Sequence, residues 1–272
     1  MNDPDNAGWQ RDLSVSLEKI GDVLKASGDL QGARKYYGES LEISRRLSMN
    51  DPDNAGWQQD LSVSLRKNGD ILKASGDLTI AQKHYGESLE IIQLLAGNDP
   101  NNAEWQRNLS VILSRVGDVL TAGGDLPGAR KHYEESLEII QRLAGNDPSN
   151  AGWQWDLAAS LDRIGNVLKV GGDLQGAQRH YEESLEIMRR LARKDPDNAG
   201  WLRDLSLILR KVGDVLTASD DLPGARKHYE ESLEIMRRLT GNDPSNAGWQ
   251  RDLAVSLRKI DVIKSLTSGR SD

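Results

Sequence analysis

Four histidines, His84, His132, His180 and His228, recur at one constant interval, and each precedes a glutamate by three positions (Glu87, Glu135, Glu183, Glu231). A histidine and a carboxylate at that spacing share one helix face and could hold a metal ion between them. No second histidine lies within a turn to complete such a site, and the matching position nearest the start of the chain is Tyr36. The column therefore reads as a partly exposed helix position copied with its surroundings. Paired acids such as Glu182-Glu183 read as a solvated face rather than a general acid and base. Serine is frequent, yet no Ser–His–Asp arrangement stands out. The stretch GDLPGAR at 124–130 lacks the Lys-Ser/Thr of a phosphate-cradling loop and follows no strand. Asn108-Leu109-Ser110 matches a glycosylation sequon but falls inside a predicted helix. No catalytic residue, no metal and no cofactor is expected.

The composition says what kind of framework carries these residues. The 272 residues are 37% hydrophobic and 28% charged, with no Phe, no Cys and only 5% aromatics. A single globular core of that length draws heavily on Phe, Leu, Ile and Val, so a thin, elongated core is expected instead. The net charge of −7, with both signs interspersed, argues against nucleic acid, which needs clustered Lys and Arg. Absence of cysteine excludes disulfides, thiolate catalysis and Cys-based zinc sites. No apolar run approaches the roughly 18 residues of a membrane span, and no signal-peptide pattern opens the chain. A cytoplasmic protein with no membrane contact is expected.

Tryptophan recurs at 9, 57, 105, 153, 201 and 249, again at one constant spacing. Repeats occupy 2–49, 50–97, 98–145, 146–193 and 194–241, and 242–272 supplies a terminal half-repeat that lids the fifth, all within one repeat domain over 1–272. Within a repeat, Trp9, Leu13, Leu17, Ile20 and Leu24 trace one stripe of an amphipathic helix. Asn6 or Asp3 can cap its start, with Pro4 tolerated in the first turn. Gly28 marks its end, and Asp29 caps a second helix with the stripe Leu30, Ala33, Tyr37, Leu41, Ser44 and Leu47. Pro127 and Pro223 sit two residues past the equivalent caps, where a missing N–H costs little. Arg45 and Arg46 fall in the expected last turn, complementing the helix dipole. The recurring small residues Gly21 and Ala33 let helix backbones approach closely. Helix pairs of this kind cannot bury a face alone and must stack. The expected fold is all-α, an α-solenoid of stacked helix–turn–helix units.

The run Leu17, Ile20-Gly21, Leu24, Ala33, Tyr37 and Ser40, and the stretch GDLQGARKYYGESLEI at 28–43, resemble the tetratricopeptide repeat. The family's standard unit is about 34 residues, so this chain, with its wider spacing, resembles a longer variant, of the kind seen in large bacterial signalling and effector proteins. The resemblance implies a right-handed superhelix and a non-enzymatic scaffold that binds protein or peptide in a groove lined by the first helix of each repeat.

Helical geometry puts Arg11, Val15, Glu18, Asp22 and Lys25 opposite the Trp9 stripe. Down the repeats the first row reads Arg11, Gln59, Arg107, Trp155, Arg203 and Arg251, and the second Val15, Val63, Val111, Ala159, Leu207 and Val255. The third reads Glu18, Arg66, Ser114, Asp162, Arg210 and Arg258, and the fourth Asp22, Asp70, Asp118, Asn166 and Asp214. Some family members grip a C-terminal carboxylate with Lys and Asn; aspartate at the matching asparagine position disfavours such a clamp. The fourth repeat breaks the pattern at Trp155, Ala159 and Asn166. An exposed tryptophan beside a small residue suits a binding hot spot, so a peptide side chain is expected to rest on Trp155, with Leu207 beside it and Arg107, Arg203 and Arg210 flanking.

Two further departures bear on stability. Asn68 replaces Ile or Val in the first-helix stripe and costs about 1–3 kcal/mol if left unsatisfied. Asp220 replaces the glycine that follows the first helix, at a modest conformational cost. The first repeat opens on an uncovered stacking face, so either end-to-end self-association or a fragment of a larger protein is expected. A passive spacer with an empty groove is the alternative to peptide binding.

Overall fold

A computed structural model describes residues 6–268; Asp3 and Pro4, suggested for the first cap and turn, lie outside the described residues. First helices are α1 (Ala7–Ser27), α3 (Ala55–Ala74), α5 (Ala103–Ala122), α7 (Ala151–Val170), α9 (Ala199–Ala218) and α11 (Ala247–Ser268). Second helices are α2 (Leu30–Asn50), α4 (Leu78–Asn98), α6 (Leu126–Asn146), α8 (Leu174–Lys194) and α10 (Leu222–Asn242). Successive first helices, like successive second helices, start at the same constant interval as the tryptophans. No strand occurs among the described residues, and none of the described helices is long and apolar enough to cross a membrane. The chain divides into two compact bodies, Met1–Ile139 and Ile140–Asp272.

Local chemistry sets the helix ends. Asn6 Oδ1 accepts from Trp9 N at 3.1 Å, and Asn54, Asn102, Asn150 and Asn198 cap the same way. Asp29 Oδ1 accepts from Gly32 N at 2.9 Å to open α2. The turn between paired helices needs a left-handed residue, supplied by Gly28 (φ 89°), Gly76, Gly124 and Gly172. In the fifth repeat Asp220 adopts the same conformation (φ 68°), against the Cβ clash that makes glycine the usual choice. Second helices run longer than the stripe suggests: α2 reaches Asn50, so Arg45 and Arg46 precede its last turn. There they serve as side-chain partners, Arg45 to Glu87 and Arg46 Nη2 to Gln10 Oε1 at 2.6 Å.

The burial of first helices is broader than one stripe. In the N-terminal body α3 packs on both α2 and α4, so Leu61, Leu65 and Leu72 are buried together with Ser62, Ser64, Asn68, Gly69 and Ile71. No described helix precedes α1, which leaves Trp9 51%, Leu13 48% and Ile20 43% exposed; of the expected stripe only Leu17 is fully buried there. Asn68 escapes the desolvation penalty, because its Nδ2 donates to Tyr37 O at 2.7 Å and Ser64 O at 3.0 Å.

A three-residue device closes each repeat. Gly21 lies under the ring of Tyr37, where an added Cβ would come within 2.6 Å of Cε1. Gly69, Gly117, Gly165 and Gly213 do the same beneath Tyr85, Tyr133, Tyr181 and Tyr229. The far end of each ring is tied down: Tyr37 Oη donates to Asp22 at 2.7 Å and Tyr85 Oη to Asp70 at 2.7 Å. In the half-repeat the glycine position is Asp261. Between paired helices a seam of buried serines satisfies itself, with Ser14 Oγ 2.8 Å from Ser40 Oγ and Ser206 Oγ 2.8 Å from Ser232 Oγ.

Candidate functional site

Two neighbouring first helices and the second helix between them form a recess whose size depends on three positions. In the N-terminal body α1, α2 and α3 enclose about 50 Å³, with Arg11, Ser14, Val15, Glu18, Ser44, Asp60 and Val63 among the lining. In the C-terminal body the same register on α7, α8 and α9 encloses about 120 Å³. There, three repeats on, Ala158 stands for Ser14, Ala159 for Val15 and Trp155 for Arg11. Ala158, Ala159, Met188, Leu207 and Ile208 make the apolar part, and Trp155, Asp162, Asp204 and Lys211 the polar edge. The two alanines remove one hydroxyl and two methyl groups from the lining, while Met188 stands for Ser44 and Leu207 for Val63.

The edge differs electrostatically as well. In the first repeat Arg11 Nε pairs with Asp60 Oδ2 at 2.5 Å, and in the fifth Arg203 Nε pairs with Asp252 Oδ2 at 2.7 Å. Trp155 keeps the register, its Nε1 donating to Asp204 Oδ2 at 2.8 Å, but an indole brings a proton without a charge. Burial consequently pushes the Asp204 carboxyl above the usual carboxylate range, against the lowering effects of the Trp155 hydrogen bond and of Arg203. Lys211 is held by Asp162, its Nζ 2.6 Å from Oδ1 and 2.7 Å from Oδ2. The result is an apolar recess beside a 39% exposed indole and an aspartate that lacks the arginine paired with Asp60 and with Asp252.

The structure brings Trp155, Ala159 and Leu207 together in this recess. Asn166 lies further along α7, accepting from Tyr181 Oη at 2.9 Å. Arg203 and Arg210 both turn to Asp252 of α11. Arg210 is buried, with Nη1 on Asp252 O at 2.9 Å and Nη2 on Oδ1 at 3.3 Å, so it braces α9 against α11. Arg107 is half-buried on α5, in the N-terminal body. Sequence reasoning passed over Ala158, Asp204 and Met188, although the column Ser14, Ser62, Ser110, Ala158, Ser206 and Ala254 carries a signal.

The aspartate row is engaged inside the fold rather than offered to a ligand. Asp22 accepts from Tyr37 and from Lys67 Nζ at 2.8 Å, Asp70 pairs with Arg115 Nε at 3.0 Å, and Asp214 with Lys259 Nζ at 2.6 Å. These neutralised carboxylates knit neighbouring repeats together. The histidine column is structural in its surroundings too: burial lowers the pKa of His84 and of His228 from the ordinary imidazole value. Among the described residues no group of three or more His, Asp or Glu is placed to hold a metal ion.

Helix pairs closed by a Gly–Tyr contact and stacked through small residues define an α-solenoid protein. The sequence model of the tetratricopeptide repeat matches residues 14–48, 107–150, 157–197 and 205–246, and the chain belongs to that family. Solved structures with the same fold include BtubC (BKLC) from P. vanneervenii, at 18% identity and a TM-score of 0.59, covering 89% of this chain and 92% of that one. A putative kinesin light chain from Podosopora anserina, with nearly identical repeats, aligns at 14% identity and a TM-score of 0.55, covering 87% of this chain and 99% of that one. A signal transduction ATPase with numerous domains from Pyrococcus horikoshii, which has a tetratricopeptide repeat sensor, aligns at 15% identity and a TM-score of 0.63. That alignment covers 95% of this chain but 34% of the other. No curated protein matches the sequence closely enough to count as a relative. Tetratricopeptide proteins are generally non-catalytic scaffolds with a role in protein interaction.

Proposed function

We propose that the chain is a non-enzymatic scaffold or sensor segment of a larger signalling or effector protein, acting in the bacterial cytoplasm. It binds a peptide segment of a partner protein on the face formed by its first helices. The observation that carries this reading is the recess at Trp155, which is larger than its counterpart in the first repeat and faces an aspartate without an arginine. A branched aliphatic side chain fits a space of about 120 Å³, somewhat below the roughly 150 Å³ apolar cavity that accepts benzene. A basic residue beside it would meet Asp204. Asn166 and Arg203 stand outside that centre, engaged within the fold by Tyr181 and Asp252.

Selection of random dodecapeptides on the immobilised protein, run beside a Trp155→Ala variant, tests the reading. Peptides enriched on the parent and lost on the variant support it, and peptides that bind both equally overturn it. A second reading, end-to-end self-association of a passive rod, draws on the exposed Trp9, Leu13 and Ile20 of α1 and the exposed Leu257 and Val262 of α11. Light scattering over a concentration series tests that reading, which fails if the protein stays monomeric throughout.

A further inference from the structure

Near the end of each second helix one position carries arginine in four repeats (Arg46, Arg142, Arg190, Arg238) and leucine in the second, at Leu94. In the fifth repeat the arginine acts as an internal strap. Arg238 Nη2 reaches back to the loop that opens its own repeat, donating to Pro196 O at 3.0 Å and to Asp197 Oδ1 at 2.8 Å. Pro52 and Asp53 are the same loop residues in the second repeat, and Leu94 offers them no donor. Its side chain stands 67% exposed.

At this register a cleft of about 600 Å³ lies in the N-terminal body, against about 350 Å³ in the fourth repeat, where Arg190 and Lys194 line it and Lys194 Nζ donates to Ser149 O at 3.1 Å. Its walls are Pro52 and Ala55 from the loop and α3, Ile91, Leu94 and Leu95 from α4, and Trp105 from α5. Trp105 is fixed in place, its Nε1 donating to Gln59 Oε1 at 2.8 Å. Asp53 and Asp99 supply a negative rim. Pro52 O takes one hydrogen bond, from Gln58 Nε2 at 3.0 Å, and a carbonyl oxygen has a second lone pair to offer. A cleft of this volume is in the range of those that enclose a ligand, and an apolar wall beside a carboxylate selects for an apolar group next to a cation.

We propose that this cleft, separate from the recess at Trp155, docks a partner peptide in which arginine stands beside a large apolar residue. The apolar side chain fills the space between Leu94, Ile91 and Trp105. The guanidinium lies on Pro52 O and Asp53, as Arg238 lies on Pro196 O and Asp197 within its own repeat. The chain's own arginine thus serves as the template for the ligand's, with the planar fork suited to binding a carbonyl and a carboxylate together.

The test is a phage selection of random dodecapeptides on the immobilised protein in the presence of excess soluble Leu94→Arg protein. That substitution restores the residue of the other repeats, and a thermal melt checks that the variant folds. Peptides surviving the competition are expected to carry arginine next to Leu, Ile, Met or an aromatic residue. Each is expected to bind the parent at least tenfold more tightly than Leu94→Arg, and to weaken severalfold on Asp53→Asn. The proposal is overturned if no peptide survives the competition, if survivors lack a basic residue, or if they bind both proteins equally. A parent that is dimeric by light scattering while Leu94→Arg is monomeric also overturns it, since a second copy would then occupy the cleft.

Discussion

Replacing Gly213 by alanine sets two effects of opposite sign against each other. Alanine is the better helix former, by about 1 kcal/mol in a helix interior. The added Cβ would meet Tyr229 Cε1 at 2.5 Å, Cδ1 at 2.8 Å and Cζ at 2.9 Å, closer than carbon atoms pack. The ring has nowhere to go: Tyr229 is 2% exposed, and its hydroxyl is bonded to Asp214 at 2.7 Å. Overpacking costs about 1–3 kcal/mol, and displacing the ring puts at risk a hydrogen bond to a charged group of about 1.5–3 kcal/mol. Set against the helix gain, the net is a loss of about 2–4 kcal/mol. Gly86 is the control, since nothing lies within 4 Å of a Cβ added there; Gly86→Ala should gain up to about 1 kcal/mol. Thermal melts followed by circular dichroism read both. At roughly 2–4 °C per kcal/mol for a chain of this size, Gly213→Ala should melt on the order of 5–10 °C below the parent. The packing argument fails if Gly213→Ala melts at or above the parent while Gly86→Ala rises.

Asp220→Gly should raise the melting temperature, because it relieves a left-handed aspartate (φ 68°) and contributes up to about 1 kcal/mol; a fall would show that the aspartate side chain contributes more than the strain costs. Stability should also fall on acidification through the histidine range. Burial depresses the folded-state pKa of His84 and His228, so their contribution is fully present above the unfolded value of about 6.5 and is lost as pH drops through the folded values. Melts between neutral pH and about one and a half units below that unfolded value should show a smaller loss in His84→Tyr/His228→Tyr, which carries the residue found at Tyr36. An identical loss in parent and variant would assign the acid sensitivity to other groups.

Helix pairing, the Asp29 cap, a first cap narrowed to Asn6 or Asp3, the glycine turn and the strain at Asp220 are all local, and all are legible in the sequence. What escaped it depends on contacts between helices and between neighbouring repeats. The stripe from Trp9 predicts one buried face, whereas α3 is covered from two sides by α2 and α4. Gly21 reads as a place of close approach, yet its partner ring and the Asp22 tether depend on how the two helices meet. Asn68 looks like a penalty until the carbonyl of Tyr37 comes within reach. At the candidate site the tryptophan was conspicuous because it broke a row. Ala158 and Asp204 were not, since a missing hydroxyl and an aspartate without its arginine acquire meaning only from the neighbouring repeat. Arg210 points to Asp252 for the same reason.

The most direct test compares the affinity of a peptide selected on the parent for two proteins by calorimetry: the parent, and an Ala158→Ser/Ala159→Val variant. The double substitution fills the recess with the residues that stand at these places in the first repeat, where Ser14 finds a partner in Ser40, so the variant should fold as stably as the parent. Binding through the recess predicts at least a tenfold loss of affinity, about 1.4 kcal/mol, with the melting temperature maintained. Equal affinity for both proteins would contradict it and move the binding surface away from the recess at Trp155.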